Sequence, residues 1–259
     1  MNACAAERID YQDISRQFAA HGETESRELA LARCNEDFLH MSVEERIRWS
    51  LDKLPGTHIV SSSFGAQAAV TLHFLTREYP NIPVVLIDTG YLFPETYRFI
   101  DRLTEKLDLN LQVYSAPVST AWQEARHGLL WKQGSEGLAT YNDAVKVEPM
   151  KRAISELDVG TWFAGVRRSQ ARSRQQTPFL VWASKRWKVH PIADWTDRDV
   201  HQYLVSNGLP YHPLWEHGYL SIGDYHSTRS IHEVSDEEQL RFFGVKRECG
   251  LHEIDLGLV

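Results

Sequence analysis

The spacing of apolar positions changes several times along the chain, and each change predicts an element. Residues 24–54 carry helical spacing: Ile47, Leu51 and Leu54 recur on one face, Ser42 and Glu45 form a capping-box pattern, and Pro55-Gly56 ends the run. A short apolar strand at 58–61 leads through Ser62-Ser63-Phe64-Gly65 into a helix at about 66–78. A second apolar run at 83–87 passes through Asp88-Thr89-Gly90 into a helix at 94–107 that starts on Pro94, and a third strand is predicted at 109–114. Further strands are predicted at 162–166 and 188–192, the latter before a helix at 194–207. Alternation of this kind predicts an α/β fold, a parallel sheet with helices on both faces, whose ligands bind beyond the carboxyl ends of the strands. The expected organisation is a helical N-terminal segment over 1–54, a nucleotide-binding α/β domain over 55–207, and an irregular C-terminal tail over 208–259, where Gly, Pro, His, Tyr and Ser dominate at first.

Composition narrows the function classes. The 259 residues are 42% hydrophobic and 24% charged, ordinary for a soluble globular protein. The net charge of −7 argues against a general nucleic-acid or membrane-surface binder, so an anionic ligand must meet clustered basic residues. The first residues lack a signal-peptide layout and no stretch reaches membrane-spanning length, so the expected compartment is the cytoplasm. The cysteines are Cys4, Cys34 and Cys249, odd in number and far apart, which excludes a disulfide framework or a cysteine-rich zinc site. His212, His217, His226 and His252 fit no standard ligand spacing, so no metal is expected.

Three stretches carry candidate chemistry. Ser61-Ser62-Ser63-Phe64-Gly65 stands where a strand ends and a helix begins, so its hydroxyls and N–H groups suit a phosphate; without a Gly-Lys-Ser/Thr ending it is not a Walker loop, and a serine-rich helix cap is the plainer reading. Arg167, Arg168, Arg172 and Arg174 follow a buried strand within eight residues, a candidate clamp for phosphate or sulfate against the alternative of a solvated basic loop. Cys249 lies between Lys246, Arg247 and His252, cations that favour its thiolate, with Glu248 opposing; this points to a reactive cysteine, whereas Cys4 and Cys34 read as ordinary packing. Lys146, in Lys146-Val147-Glu148-Pro149, reads by itself as a surface lysine.

Together these motifs, with Asp88-Thr89-Gly90-Tyr91-Leu92-Phe93-Pro94-Glu95-Thr96, Gly165-Val166-Arg167-Arg168 and Glu248-Cys249-Gly250-Leu251-His252, resemble the phosphoadenylyl sulfate reductase family from about Ser42 to His252. The resemblance implies an adenine-nucleotide α-hydrolase-like (Rossmann-like) fold, a homodimer, a serine-rich phosphate loop and a catalytic cysteine, Cys249, on a mobile C-terminal segment. It also places Asp88, Thr89, Lys146, Arg241 and His252 around the substrate. The related adenylyl sulfate reductases hold an iron–sulfur cluster on a Cys-Cys pair and a Cys-x-x-Cys pair; here those positions read Tyr141-Asn142 and Asp224-Tyr225-His226-Ser227, so no such cluster is expected. The cluster-free branch implies 3'-phosphoadenylyl sulfate as substrate, thioredoxin or glutaredoxin as external reductant, and no bound cofactor. Two rivals share parts of the pattern: an ATP pyrophosphatase that adenylates a substrate, which leaves Cys249 without a role, and a nucleotide-binding sensor with Cys249 as redox switch.

Overall fold

The computed structural model describes residues 24–241 of the chain. Six strands form one sheet: β1 (Thr57–Ser61), β2 (Pro83–Asp88), β3 (Asn110–Ser115), β4 (Val159–Ala164), β5 (Leu180–Ala183) and β6 (Arg186–Val189), in the order β3-β2-β1-β4-β6-β5. All neighbours pair in parallel except β5 and β6, so the expected parallel sheet carries one antiparallel edge strand. The cause is the two-residue turn Ser184-Lys185, with φ of 49° and 62°, which is too short for a crossover and can only reverse the chain.

Strand side chains alternate between two helical layers. Val60, Val84, Leu86, Phe163 and Val189 face the larger core, filled by α1 (Thr24–Leu39), α2 (Val43–Lys53), α3 (Ala68–Glu78), α4 (Pro94–Leu107) and α8 (Asp197–Ser206). Ile59, Val85, Ile87 and Trp162 face the other way, onto Met150, Ala153 and Ile154 of α7 (Glu148–Glu156). The predicted helical stretch 24–54 is thus two helices, parted at Ser42: its hydroxyl accepts from Glu45 N–H at 3.2 Å while its own N–H donates to Glu45 Oε2 at 2.7 Å. Between β3 and α7 lie α5 (Thr120–His127), which buries no residue, and α6 (Gly134–Asn142). No helix among the described residues is long and apolar enough to cross a membrane.

Three histidines are built in neutral. Burial pushes His190 down to about 3, helped by the Lys188 charge, and burial pushes His212 and His226 down to about 4. His212 is fixed as one tautomer, since Nδ1 accepts from Leu214 N–H at 3.1 Å and Nε2 donates to Thr96 Oγ1 at 3.0 Å. Below the ordinary histidine value of about 6.5 the unfolded chain binds protons that the folded chain refuses, so stability must fall as pH drops from about 6.5 to 4. Urea unfolding at pH 7.5 and pH 5 is expected to show roughly a few kcal/mol less stability at the lower pH; a flat profile would contradict neutral burial.

Candidate functional site

The strand order reverses between β1 and β4, and a cleft of about 340 Å3 opens at the carboxyl ends of these strands, where open α/β sheets hold ligands. Ser61, Ser62, Ser63 and Gly65 line one wall. The turn is held by three hydrogen bonds: Ser62 N–H donates to Val85 O at 3.0 Å, Phe64 N–H to Ser62 Oγ at 3.0 Å, and Trp162 Nε1 to Ser61 Oγ at 2.7 Å. Phe64 turns away into the core, fully buried, and takes φ +49° to do so, a strained conformation that keeps the serines at the rim. No side chain caps the following N-terminus of α3; the backbone closes it instead, with Ala68 N–H donating to Gly65 O at 3.1 Å and Val70 N–H to Gln67 O at 3.3 Å.

The opposite wall comes from the chain leaving β4. At Gly165 a Cβ would lie 2.6 Å from Thr71 Oγ1, so only glycine lets β4 pass this close to α3. The arginine cluster then divides. Arg167 lines the cleft but is 3% exposed and committed: it pairs with Asp197 at 2.9 Å and donates to Gln67 Oε1, Ser169 Oγ and Trp195 O. Arg174 also lines the cleft, with Nη1 donating to Gln170 Oε1 at 2.6 Å. Arg168 lies outside it, donating to Thr177 O at 2.8 Å and stacking 4.6 Å from the Phe179 ring centroid, and Arg172 is exposed outside it. Asp88 is likewise outside, accepting from Gly90 N–H at 2.9 Å and Tyr97 Oη at 2.7 Å to shape the turn after β2, whereas Thr89 is inside.

Lys146 corrects the surface reading: it is 5% exposed and points into the cleft. Pro149 has no N–H for the carbonyl four residues back, and the helix answers with a π turn over Asp143–Val147, in which Glu148 N–H reaches Asp143 O. Lys146 Nζ meets Asp224 Oδ2 at 2.5 Å and Asn142 Oδ1 at 3.1 Å. Asp224, 1% exposed, also accepts from Thr89 Oγ1 at 2.6 Å and Tyr141 Oη at 3.0 Å. Burial opposes this carboxylate's charge, but Lys146, its hydrogen bonds and the Arg241 charge outweigh burial and hold its pKa below the ordinary value.

Residues 208–241 carry only short single-turn helices, yet they are packed: Leu92 and Asp224 form a backbone bridge, Tyr225 N–H donates to Tyr91 O at 2.8 Å, and Thr228 bridges to Arg241. Arg241 joins the cleft across Gly223, where any Cβ would overlap its guanidinium. Cys249 and His252 lie outside the described residues. Cys34 is buried, with its thiol pushed up to about 11, first by burial, consistent with plain packing. The residues missed from sequence as site residues are Gln67, Asp197, Gly223 and Asp224; Gln67 stands two residues after the serine motif and Asp224 among the positions compared with cluster ligands, whereas Asp197 has no local signal.

The four positions equated with cluster ligands do converge. Tyr141, Asn142 and Asp224 meet at Lys146, and the Ser227 hydroxyl donates to Asp224 O at 3.3 Å, so the four offer phenol, amide, carboxylate and hydroxyl where a cluster needs thiolates. His226 stacks on Trp131 at 3.9 Å beside them. Among the described residues no group of three or more His, Cys, Asp or Glu is placed to hold a metal ion.

Comparison with known proteins gives a consistent set. The family model described as "Phosphoadenosine phosphosulfate reductase domain" matches residues 57–230. A phosphoadenosine 5'-phosphosulfate reductase of Zymomonas mobilis is 59% identical over 227 residues, 88% of this chain and 93% of that one. One of Xanthomonas campestris is 62% identical over 213 residues, 82% and 88% of the two chains. Among solved structures, phosphoadenylyl-sulfate reductase from Candida auris, a phosphate complex, superposes with TM-score 0.69 at 28% identity over 81% of this chain and all of that one. Candida glabrata FMN adenylyltransferase with FAD and inorganic pyrophosphate shares the fold alone, at TM-score 0.56 and 15% identity, covering 85% of this chain and 72% of its own. The expected adenine-nucleotide α-hydrolase-like fold is the one observed.

Proposed function

Because the chain belongs to the phosphoadenosine phosphosulfate reductase domain family, we propose that it reduces 3'-phosphoadenylyl sulfate to sulfite and adenosine 3',5'-bisphosphate, with thioredoxin as electron donor. The observation that carries this is the meeting in one switch-point cleft of the serine turn with Lys146, Arg167, Arg174 and Arg241. In a chain of net charge −7, four cations against the carboxylates of Asp197 and Asp224 line the cleft where a polyanionic nucleotide would bind.

The serine turn, where β1 gives way to α3, suits a phosphate, and Lys146 and Arg241 suit the sulfate and its bridging phosphate. In the first step the Cys249 thiolate forms a bond to the sulfate sulfur, the sulfur–oxygen bond to the nucleotide phosphate breaks, and adenosine 3',5'-bisphosphate leaves with that electron pair. In the second, one thioredoxin thiolate attacks Cys249 Sγ, sulfite departs, and the second thioredoxin thiol resolves the mixed disulfide, supplying two electrons in all. Cys4 and Cys34 are far from Cys249 in sequence, and Cys34 is buried, which favours an outside dithiol as the resolving partner. His252 is assigned beside the thiolate, and the protein acts as a homodimer in the cytoplasm.

Sulfite formation should require both the 3'-phosphorylated substrate and a dithiol reductant. Equal kcat/KM with adenylyl sulfate, or turnover with every thiol omitted, would refute the assignment. The 3'-phosphate is assigned to the arginine wall, and the geometry favours Arg174. Arg174→Ala is expected to raise KM about ten- to a hundredfold, the worth of a charged hydrogen bond of about 1.5–3 kcal/mol. Arg172→Ala, at an exposed position outside the cleft, is expected to change it less than about twofold. Steady-state kinetics on the two variants would reveal a reversed order if the assignment were wrong.

A further inference from the structure

We propose that Asp224 is the positioning residue of the cleft, its buried carboxylate gathering donors from three segments so that Lys146 and Arg241, bridged to the loop of Asp224 at Thr228, are set together for an anionic ligand. The inference rests on the reading of the cleft given above and adds to it a residue that does not touch substrate but aims the groups that do.

The geometry is unusual in how much converges on one side chain. Thr89 reaches it from the end of β2, Tyr141 from α6 and Lys146 from the π turn, at 2.6, 3.0 and 2.5 Å. Thr89 has its direction fixed in turn, since its Oγ1 accepts from Tyr91 N–H at 3.2 Å and therefore spends its proton on Asp224. Asp224's own backbone is bridged to Leu92, and three residues on its loop closes back through Ser227 N–H to Asp224 O at 3.1 Å. The next bridge along, Thr228 to Arg241, ties the cleft's last described cation to the same loop. Only an acceptor-only group fits three donors: an amide in its place would turn an NH2 group toward a hydroxyl or the Lys146 ammonium. Removing the charge also leaves Lys146 buried without a counter-ion, a strongly unfavourable state that the side chain escapes by leaving its place. Aim and anchorage are thus coupled through one carboxylate.

A double-mutant cycle on the full chain separates positioning from bulk stability. Binding of adenosine 3',5'-bisphosphate would be measured by calorimetry for the wild type, Asp224→Asn, Lys146→Met and the double variant, with Thr89→Val as a milder probe. Asp224→Asn is expected to weaken binding at least about tenfold in the wild-type background and less than about twofold once Lys146 is methionine, because the two act as a unit. Thr89→Val should weaken it about threefold, again only while Lys146 is present. Additive effects of Asp224→Asn and Lys146→Met would overturn the proposal. If Asp224→Asn fails to fold, the Thr89→Val and Lys146→Met cycle decides by the same criterion. Absence of binding by the wild type would instead refute the nucleotide reading of the cleft.

Discussion

Sulfite release is expected to fall by at least about a thousandfold in Cys249→Ser, because a hydroxyl at neutral pH is a far poorer nucleophile than a cysteine thiol with its fraction of thiolate. The same variant should bind adenosine 3',5'-bisphosphate with a Kd within about twofold of the wild type, since the cleft is built from the serine turn, the π turn and the chain after β4, none of which includes position 249. The split matters more than the loss. A fall in both would make Cys249 part of the binding surface, and retention of turnover would leave the chemistry to another group. Neither Cys34, buried in the core with its thiol pushed up, nor any described thiol in the cleft is placed to substitute.

The largest effect on stability is expected at Arg46. Its guanidinium is 3% exposed and pairs bidentately with Asp194, 2.8 Å from each carboxylate oxygen, while donating also to Phe38 O at 2.7 Å and Pro191 O at 2.8 Å. It lies 4.1 Å from the Phe179 ring centroid, so one side chain joins α1, α2 and the turns after β6. Arg46→Ala takes a donor from Pro191 O and from Phe38 O, the latter keeping only its 3.3 Å bond from Met41 N–H, and leaves a cavity against Phe179. A buried pair broken at one end costs about 3–5 kcal/mol, and because Asp194 is a third exposed the lower figure applies, roughly 3 kcal/mol. For a chain of this length that is a fall in Tm of roughly 6–12 °C. Arg46→Lys should recover little of it, since an ammonium cannot reproduce the fork. A loss below about 1 kcal/mol in chemical denaturation would show that α2 is held by its apolar face alone.

What could be read from sequence follows from how local each signal is. The capping box at Ser42 and the helix from Pro94 to Leu107 are written in neighbouring residues, and both occur as read. β5 was invisible because its hairpin turns on Ser184-Lys185 with positive φ at both, where Asn-Gly would announce itself. α5 was missed because it buries nothing, so no apolar stripe marks it. The arginine cluster was visible as charge, but which members face the cleft depends on Phe179, which draws Arg168 away, and on Asp197, which claims Arg167. Lys146 shows the limit most plainly. A lysine just ahead of a Glu-Pro helix start reads as surface, and only the π turn and Asp224, 78 residues on, make it a buried group of the cleft.

Mass spectrometry of the intact reduced protein after exposure to 3'-phosphoadenylyl sulfate tests the central claim most directly. The account predicts one SO3 group added at Cys249, absent in Cys249→Ser, scarce with adenylyl sulfate and removed by reduced thioredoxin with release of sulfite. An unmodified Cys249 in a sample that still produces sulfite would contradict it.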